Sequence, residues 1–229
     1  MKRFWNWLLK NEGDIPIREL VINGTIAEDD WFEDDVTPKI FEEELNSCSG
    51  PVQVRINSPG GSCNAASQIY TMLRQYNGEV SVLIDGIAAS AASVIAMAGS
   101  TVKMSPTAMM MIHNPATIAC GNHEDMEKAI ELLEEVKESI INAYEQKTGM
   151  QRAKISRLMD AETWMNAKKA VELGFADEIL GEPNSNAFVF EAKTCASAFV
   201  NKVVAKYQHT PVPAGKKISD LLIELENKK

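Results

Sequence analysis

Ser90 and His113 are the two side chains whose types and positions could perform nucleophilic chemistry. Ser90 lies in the small-residue stretch DGIAASAASVIAMAG (85–99), between the apolar strand pattern SVLI and a helical pattern. A small-residue turn from strand to helix exposes one side chain and points free backbone N–H groups at any negative charge that forms there. A serine hydroxyl in that position could attack a carbonyl group, and a histidine could take up its proton. The chemistry that this pattern allows is acyl transfer.

Both residues also have an ordinary structural interpretation. A serine at the start of an alanine-rich helix can serve as a cap or a packing residue, and Ser93, one turn later, is expected to bond back to the helix backbone. His113 ends the apolar run MMMI and is followed by Asn-Pro. A polar residue at the end of an apolar strand lies at the edge of a parallel sheet where ligands bind, although a single histidine there can be structural.

Two further groups could complete a hydrolytic site. Gly60 and Gly61 follow Ser-Pro in a tight turn at a strand end, where a backbone N–H can stabilise an oxyanion. Asp160 and Glu162 precede the strand-like segment TWM, and a carboxylate there could orient a histidine and stabilise its charged form. Taken singly, the glycines also fit an ordinary loop, and the acids also fit a solvated surface.

The elements that would position these residues alternate between strand and helix patterns. Strands are predicted at 18–24, 52–57, 79–85, 101–105 and 108–114, and helices at 64–76 and 91–99, with another helix starting near Thr37-Pro38. The segment 167–180 is predicted to form a helix, a glycine C-cap and a last strand. Because strand and helix alternate from residue 52 to residue 105, we expect βαβ crossovers and a mostly parallel sheet in an α/β fold.

A long helix is predicted from His123 to Gly149, with the glycine at its C-terminal end. Its apolar residues recur at three- and four-residue steps on one face: Met126, Ala129, Ile130, Leu133, Val136, Ile140 and Tyr144. A helix of this length exceeds what a domain of this size needs to cover its core. We therefore expect it to project and to mediate assembly.

Composition limits the class of protein. The chain has 229 residues, of which 45% are hydrophobic, and its net charge of −9 argues against a nucleic-acid partner. Its four cysteines are scattered without a CxxC pair: Cys48, Cys63, Cys120 and Cys195. This spacing argues against a zinc site or a disulfide framework and favours a reducing, cytoplasmic compartment. No apolar run approaches the roughly 18 residues of a membrane span, so we expect no membrane insertion.

Four segments resemble a known family in their order and spacing: INSPGG, GIAASAAS, MMMIHNP and ETWMNAKKAVELGFADEIL. They resemble the ClpP-type serine peptidases, and most of all the phage and prophage head maturation (prohead) proteases. The resemblance covers about residues 18–180. It implies the ClpP/crotonase-like fold of stacked ββα units and the hydrolysis of peptide bonds without a cofactor or metal.

The resemblance also implies roles for individual residues. Ser90 matches the nucleophile of the family's alanine-alanine-serine motif, and His113 matches the general base of its Met-Ile-His motif. Gly61, which follows Gly60 in the same loop, and Ala91 match the positions whose backbone N–H groups form the oxyanion hole.

Substrate binding and the third triad member are implied in the same way. The segment around Gly61 to Cys63 and the loop after Pro115 match the edges that hold the substrate as an added strand. Housekeeping members carry an aspartate two residues before the aromatic residue that aligns with Trp164, where this chain has Glu162. Glutamate can perform the same role with a longer arm, and Asp160 is the alternative.

We expect three regions: an N-terminal arm at 1–17, a ClpP-like peptidase domain at 18–182 and a partly flexible C-terminal extension at 183–229. The arm is expected to pack on a neighbour, with a weak membrane-surface anchor as the alternative.

The function implied by the resemblance is an ATP-independent serine endopeptidase that processes phage scaffold or capsid protein, in the host cytoplasm or the prohead. The alternative is a ClpP-like proteolytic core that works with an ATP-dependent unfoldase. Two further hypotheses are an acyl-CoA-processing enzyme of the same fold and an assembly protein with a decayed site. The long helix matches the element that joins rings in the family, so a ring-shaped homo-oligomer is implied.

Overall fold

The computed structural model describes residues 3–12, 15–27 and 38–181, and its strands form one mixed sheet. The strands are β1 (Trp5–Glu12), β2 (Ile15–Asn23), β3 (Val52–Ser58), β4 (Val80–Ala89), β5 (Thr101–Met104), β6 (Met109–Ile112), β7 (Thr163–Asn166) and β8 (Glu178–Ile179). Their order is β1-β2-β3-β4-β5-β8, with β6 paired to β4 and β7. Within the described sheet, only the pairs β1–β2 and β6–β7 are antiparallel. The prediction of a mostly parallel sheet is confirmed.

The described part of the chain contains six helices: α1 (Pro38–Asn46), α2 (Cys63–Gln75), α3 (Ala91–Ala96), α4 (His123–Thr148), α5 (Arg152–Asp160) and α6 (Ala167–Glu172). Every residue of α3 is buried, and α3 packs against α2 and β4. Because half of the residues of α3 are alanines, its backbone can lie close to the sheet. The predicted cap Thr37, Cys195 and the predicted extension at 183–229 lie outside the described residues.

Strand β4 is longer than predicted and changes its partner along its length. The sequence pattern predicts a strand end at residue 85, whereas β4 continues to Ala89. Residues 81–84 pair with β5, and residues 87–89 pair with β6. The carboxyl ends of β4 and β6 are therefore neighbours, and the residues that follow these two strands emerge at the same edge of the sheet.

The N-terminal segment differs from the expected arm on a neighbour. Residues 5–12 form β1, which pairs with β2, and Phe4 and Trp5 are buried in the core of this chain. The Trp5 ring packs edge-on against Phe41 of α1 with centroids 5.5 Å apart, and its Nε1 donates a hydrogen bond to Glu44 at 3.0 Å. An amphipathic segment this short fits a strand as well as an arm; here it pairs with a strand of its own chain.

Helix α4 projects over its N-terminal half. It has 26 residues and is about 39 Å long at 1.5 Å per residue. Its buried residues, Ile140, Ile141, Ala143 and Tyr144, all lie in the C-terminal half. Asn122 and Asp125 form a capping box at its start, and Gly149 ends it with a left-handed φ of 65°. The predicted C-terminal glycine is confirmed.

The predicted apolar face of α4 is only partly covered. Leu133 and Val136 are half-buried, whereas Ile130 is 58% exposed and the neighbouring Leu132 is 60% exposed. The following helix, α5, was not expected from the sequence. It buries only Ile155 and Met159, so its apolar repeat is too short to indicate a helix. None of the described helices is long and apolar enough to cross a membrane.

Gly61 lies where the loop after β3 touches the chain after β2. It forms a parallel bridge with Ile26, and its φ is +149°. A Cβ atom added to Gly61 would lie 1.9 Å from the carbonyl oxygen of Ile26. Gly24 also has a positive φ, +92°, but a Cβ atom there would meet nothing within 4 Å. A substitution at Gly24 therefore measures the cost of the positive φ alone, whereas one at Gly61 adds the cost of a steric clash.

We predict that Gly61→Ala lowers the free energy of unfolding more than Gly24→Ala. Both substitutions place a side chain at positive φ, which costs about 1–3 kcal/mol. Only Gly61→Ala adds a clash with backbone atoms, worth about 1–3 kcal/mol more. Urea denaturation followed by circular dichroism measures both values, and equal losses would contradict the tight approach of Gly61 to Ile26.

Candidate active site

Ser90 occupies the sharp turn that joins β4 to α3. Its backbone has φ 55° and ψ −127°, a conformation that residues with a side chain rarely adopt. The Ser90 N–H donates a hydrogen bond to the carbonyl oxygen of Met111 on β6 at 2.9 Å. This turn holds the half-buried Ser90 hydroxyl at the carboxyl edge of the sheet, at the N-terminus of α3.

His113 follows β6 directly and contacts Ser90. Ala89 at the end of β4 pairs with Met111 of β6 in parallel, so the next residues of both strands are adjacent. His113 Nε2 lies 2.7 Å from Ser90 Oγ, which is hydrogen-bonding distance. Strand pairing thus brings together two residues that are 23 positions apart in the sequence.

Glu162 lies beside β6 on its other side. Strand β7 is antiparallel to β6, with Ile112 paired to Thr163, and one further step in that register sets Glu162 opposite His113. Glu162 has a φ of 46° and occupies the turn between α5 and β7. Its carboxylate accepts a hydrogen bond from Trp164 Nε1 at 3.2 Å.

Asp160 is held by other partners. Its Oδ1 accepts hydrogen bonds from Lys137 Nζ at 2.5 Å and from Asn114 Nδ2 at 2.9 Å. The bond from Lys137, followed by the bond from Asn114, lowers the pKa of Asp160 below its ordinary value. Neither Lys137 nor Asn114 was predicted from the sequence to belong to the site. Only the neighbouring position of Asn114 and His113 in the sequence could have suggested Asn114.

The two acids act differently on the imidazole of His113. Burial lowers the pKa of His113 below its ordinary value, and the negative charge of Glu162 opposes this by raising it. Because burial dominates, the ring is neutral at neutral pH, and neutral imidazole can accept a proton. Of the two candidate acids, Glu162 is the one whose charge acts on His113.

Gly60 passes close to the Ser90 turn. Its φ is +96°, and a Cβ atom added to it would lie 2.6 Å from the carbonyl oxygen of Ala89 and 2.8 Å from Ser90 Cβ. Both distances are too short for a side chain, so the loop can approach the turn only with glycine at this position.

The backbone N–H groups of Gly61 and Ala91 belong to the two segments that meet at the Ser90 turn. The carbonyl of Gly60 and the N–H of Ser62 both bond to Ile26. Since backbone groups alternate in direction along an extended chain, the N–H of Gly61 is directed to the opposite side. Ala91 is the first residue of α3, where the N–H has no acceptor within the helix. These two groups can serve as donors to an anion.

Ser93 bonds back to the turn, as predicted. Its Oγ donates a hydrogen bond to the carbonyl oxygen of Ser90 at 2.6 Å. It also lies 2.8 Å from the hydroxyl of Tyr144, which is 51 residues away on α4. The helical period predicted only that Tyr144 lies on the apolar face of the long helix. A buried tyrosine hydroxyl requires a partner, but the pattern could not say which residue provides it.

Cys63 and Pro115 lie in the segments on either side of the Ser90 turn. Cys63 is the half-buried first residue of α2, directly after the glycine loop. Pro115 is half-buried and precedes the exposed stretch that leads to α4, and the chain has no regular secondary structure from 115 to 120. Because β4 lies between β3 and β6 at this edge, the two segments flank the turn.

Cys48 and Cys120 are exposed free thiols. Among the residues that the structure describes, no group of three or more His, Cys, Asp or Glu side chains is placed to hold a metal ion.

Comparison with known proteins identifies the family from the sequence and the fold from the structure. The family model described as Clp protease matches residues 16–183. ATP-dependent Clp protease proteolytic subunit 1 of Chlamydia muridarum is 33% identical over 147 residues, 62% of this chain and 76% of that protein. The protein of the same name from Protochlamydia amoebophila is 28% identical over 158 residues, 67% of this chain and 77% of its own.

A solved structure of a ClpP1 mutant from Listeria monocytogenes matches with a TM-score of 0.61 at 23% identity, and the match covers 72% of this chain and 92% of that chain. This likeness confirms the predicted ClpP-like fold, with its mostly parallel sheet and flanking helices. Since the family model spans nearly all of the strands and helices described above, the chain belongs to the Clp protease family.

Proposed function

We propose that this protein is a serine endopeptidase in which Ser90 is the nucleophile and His113 is the general base. The observation that carries this proposal is the 2.7 Å contact between His113 Nε2 and Ser90 Oγ, in a member of the Clp protease family. For Nε2 to accept the serine proton, the ring hydrogen must reside on Nδ1. Burial keeps the imidazole neutral and ready for this task.

The reaction proceeds through an acyl-enzyme. The Ser90 oxygen forms a bond to the substrate carbonyl carbon while its proton moves to His113 Nε2. The resulting oxyanion accepts hydrogen bonds from the N–H groups of Gly61 and Ala91. The carbon–nitrogen bond then breaks, and the amine leaves with the proton from His113. Water attacks the ester by the same route, which releases the carboxylic acid and restores Ser90.

We expect Ser90→Ala to abolish both covalent labelling by a fluorophosphonate probe and peptide hydrolysis, the latter by a factor of at least ~10³, because the nucleophile is removed. Ser67→Ala is the matched control, since Ser67 is an exposed serine on α2, and it should label like the unaltered protein. Labelling of Ser90→Ala at the rate of the control would exclude Ser90 as the nucleophile.

We propose Glu162 as the third member of the triad. Its support is the charge that it exerts on His113 and its place in the β7 register. The alternative, Asp160, is bonded to Lys137 and Asn114. A carboxylate opposite His113 stabilises the imidazolium that forms when the serine proton is transferred.

We predict that Glu162→Gln shifts the acidic limb of the pH–activity profile to lower pH and lowers kcat about 10- to 100-fold. Activity falls on the acid side as His113 becomes protonated. The charge of Glu162 raises the pKa of His113, so its removal lets that pKa fall further.

Asp160→Asn is the matched control and should leave the acidic limb in place, with kcat within about twofold, because exposed ion pairs contribute little. The pH dependence of peptide hydrolysis measures both variants. A shift caused by Asp160→Asn and absent from Glu162→Gln would assign the role to Asp160 instead.

The proposed substrate is a polypeptide bound as an added strand between the loop at 60–63 and the segment after Pro115, since both segments flank the Ser90 turn. The proposed assembly is a ring-shaped homo-oligomer. Its support is the projecting half of α4, where Ile130 and Leu132 are exposed apolar side chains on a surface helix.

The biological role that we propose is ATP-independent processing of phage scaffold or capsid protein. Its support is the resemblance of four ordered sequence segments to the head maturation branch. A second candidate, proteolysis together with an ATP-dependent unfoldase, is favoured by the names of the curated relatives, which are proteolytic subunits of ATP-dependent proteases. The two roles differ in whether folded substrates require ATP.

A degradation assay separates these roles. The purified protein should cleave an unfolded polypeptide without ATP, and an added Clp-type unfoldase with ATP should leave the degradation of a folded substrate unchanged. Degradation of the folded substrate that depends on unfoldase and ATP would instead establish the second role. Ser90→Ala is the blank in both assays, because cleavage that survives it comes from a contaminating protease.

A further inference from the structure

We propose that Tyr144 is a positioning residue for the oxyanion-binding peptide of the site, and that it acts through Ser93. This inference rests on the proposed role of Ser90. Tyr144 and Ser93 are both buried, and their hydroxyl oxygens lie 2.8 Å apart. Ser93 in turn contacts the Ser90 carbonyl at 2.6 Å. A continuous chain of hydrogen bonds therefore runs from α4 to the proposed nucleophile.

The direction of this hydrogen-bond chain follows from the number of protons. The single hydroxyl proton of Ser93 is donated to the carbonyl oxygen of Ser90, because a carbonyl can only accept. Ser93 Oγ must then accept from Tyr144, whose hydroxyl is the donor. Burial raises the pKa of Tyr144 above its ordinary value, so the hydroxyl keeps its proton at all pH values at which a histidine-based protease works.

The Ser90 carbonyl controls the orientation of the Ala91 N–H. The two groups belong to one planar peptide unit and point in opposite directions. The Ser90 oxygen accepts from both the N–H of Ser93, at 2.9 Å, and the hydroxyl of Ser93. Bonds that hold this oxygen toward the interior hold the Ala91 N–H toward the site, where we place the oxyanion.

This peptide unit needs external support because Ser90 has a φ of 55°, which is strained for a residue with a side chain. Tyr144 supplies a rigid anchor, since its ring packs edge-on against Phe175 with centroids 5.5 Å apart. The anchor also lies on the buried end of α4, the helix whose other half projects. Hydrogen bonds in a buried chain polarise one another, so the tyrosine proton also strengthens the bond that Ser93 donates.

Tyr144→Phe and Ser93→Ala test the proposal, with Tyr70→Phe as the matched control. Tyr70 also donates its hydroxyl to a residue of α4, Gln146, at 3.0 Å, but this bond is exposed and ends on Gln146 rather than on Ser93. We expect Tyr144→Phe and Ser93→Ala to lower kcat and the fluorophosphonate labelling rate about three- to tenfold, with KM within about twofold. Tyr70→Phe should match the unaltered protein in all three quantities.

The double variant provides the sharper readout. Because the two hydroxyls act in series, Tyr144→Phe combined with Ser93→Ala should lose no more kcat than the worse single variant, whereas independent effects would multiply. The melting temperature and oligomeric state of each variant are measured in parallel, and rates are taken well below the lowest melting temperature.

A lowered melting temperature of Tyr144→Phe with the kcat and labelling rate of Tyr70→Phe would overturn the proposal, since Tyr144 would then only stabilise the fold. Multiplicative losses in the double variant would overturn the serial arrangement. Failure of the proposed function is a separate result, seen as undiminished labelling of Ser90→Ala.

Discussion

The parallel pairing between the end of β4 and β6 is the interaction on which the site depends. Residues 81–84 of β4 pair with β5, and residues 87–89 pair with β6. This change of partner lets one strand serve both the body of the sheet and the small β6–β7 pair. It sets Ser90 beside His113 on one side, and the β7 register sets Glu162 beside His113 on the other. A shift of one residue in the β4–β6 register would separate these groups.

Strained backbone is concentrated around this point. Ser90 and Glu162 are the residues other than glycine with positive φ in the described chain, and Gly60 and Gly61 lie in the adjoining loop. Each is fixed by hydrogen bonds or close packing with a neighbouring element. Such conformations persist only where the surrounding structure determines them. Here the surrounding core supplies that support, since α3 is buried throughout.

Charge is divided between two carboxylates that are only two residues apart. Asp160 is neutralised by Lys137 and joins α4 to the end of α5. Glu162 lacks a basic partner among the described ion pairs, and its charge acts on His113. The end of α5 lies between the two acids, so their side chains leave the backbone in different directions. Asp160 is the last helical residue, whereas Glu162 has already left the helical conformation. The same short segment thus carries one acid held in an ion pair and one whose charge acts on His113.

The sequence by itself determined the local features of this protein. The small-residue turn singled out Ser90, the end of an apolar run singled out His113, and the strand and helix alternation predicted a parallel sheet. The apolar repeat of α4 and the glycine at its end could also be predicted, because helical faces and caps depend on residues that are close in the sequence. These patterns need no knowledge of which strands pair.

Only the tertiary structure separated the surroundings of Glu162 from those of Asp160, joined Tyr144 to Ser93, and paired the N-terminal segment with β2 as β1. Tyr144 and Ser93 are 51 residues apart in the sequence. The periodicity of a single helix or strand gives no information about contacts over such a separation. Each outcome depends instead on the register between strands and on the direction in which a helix ends. A pairing register changes side-chain neighbours completely with a shift of one residue, and a single chain's local pattern does not encode it.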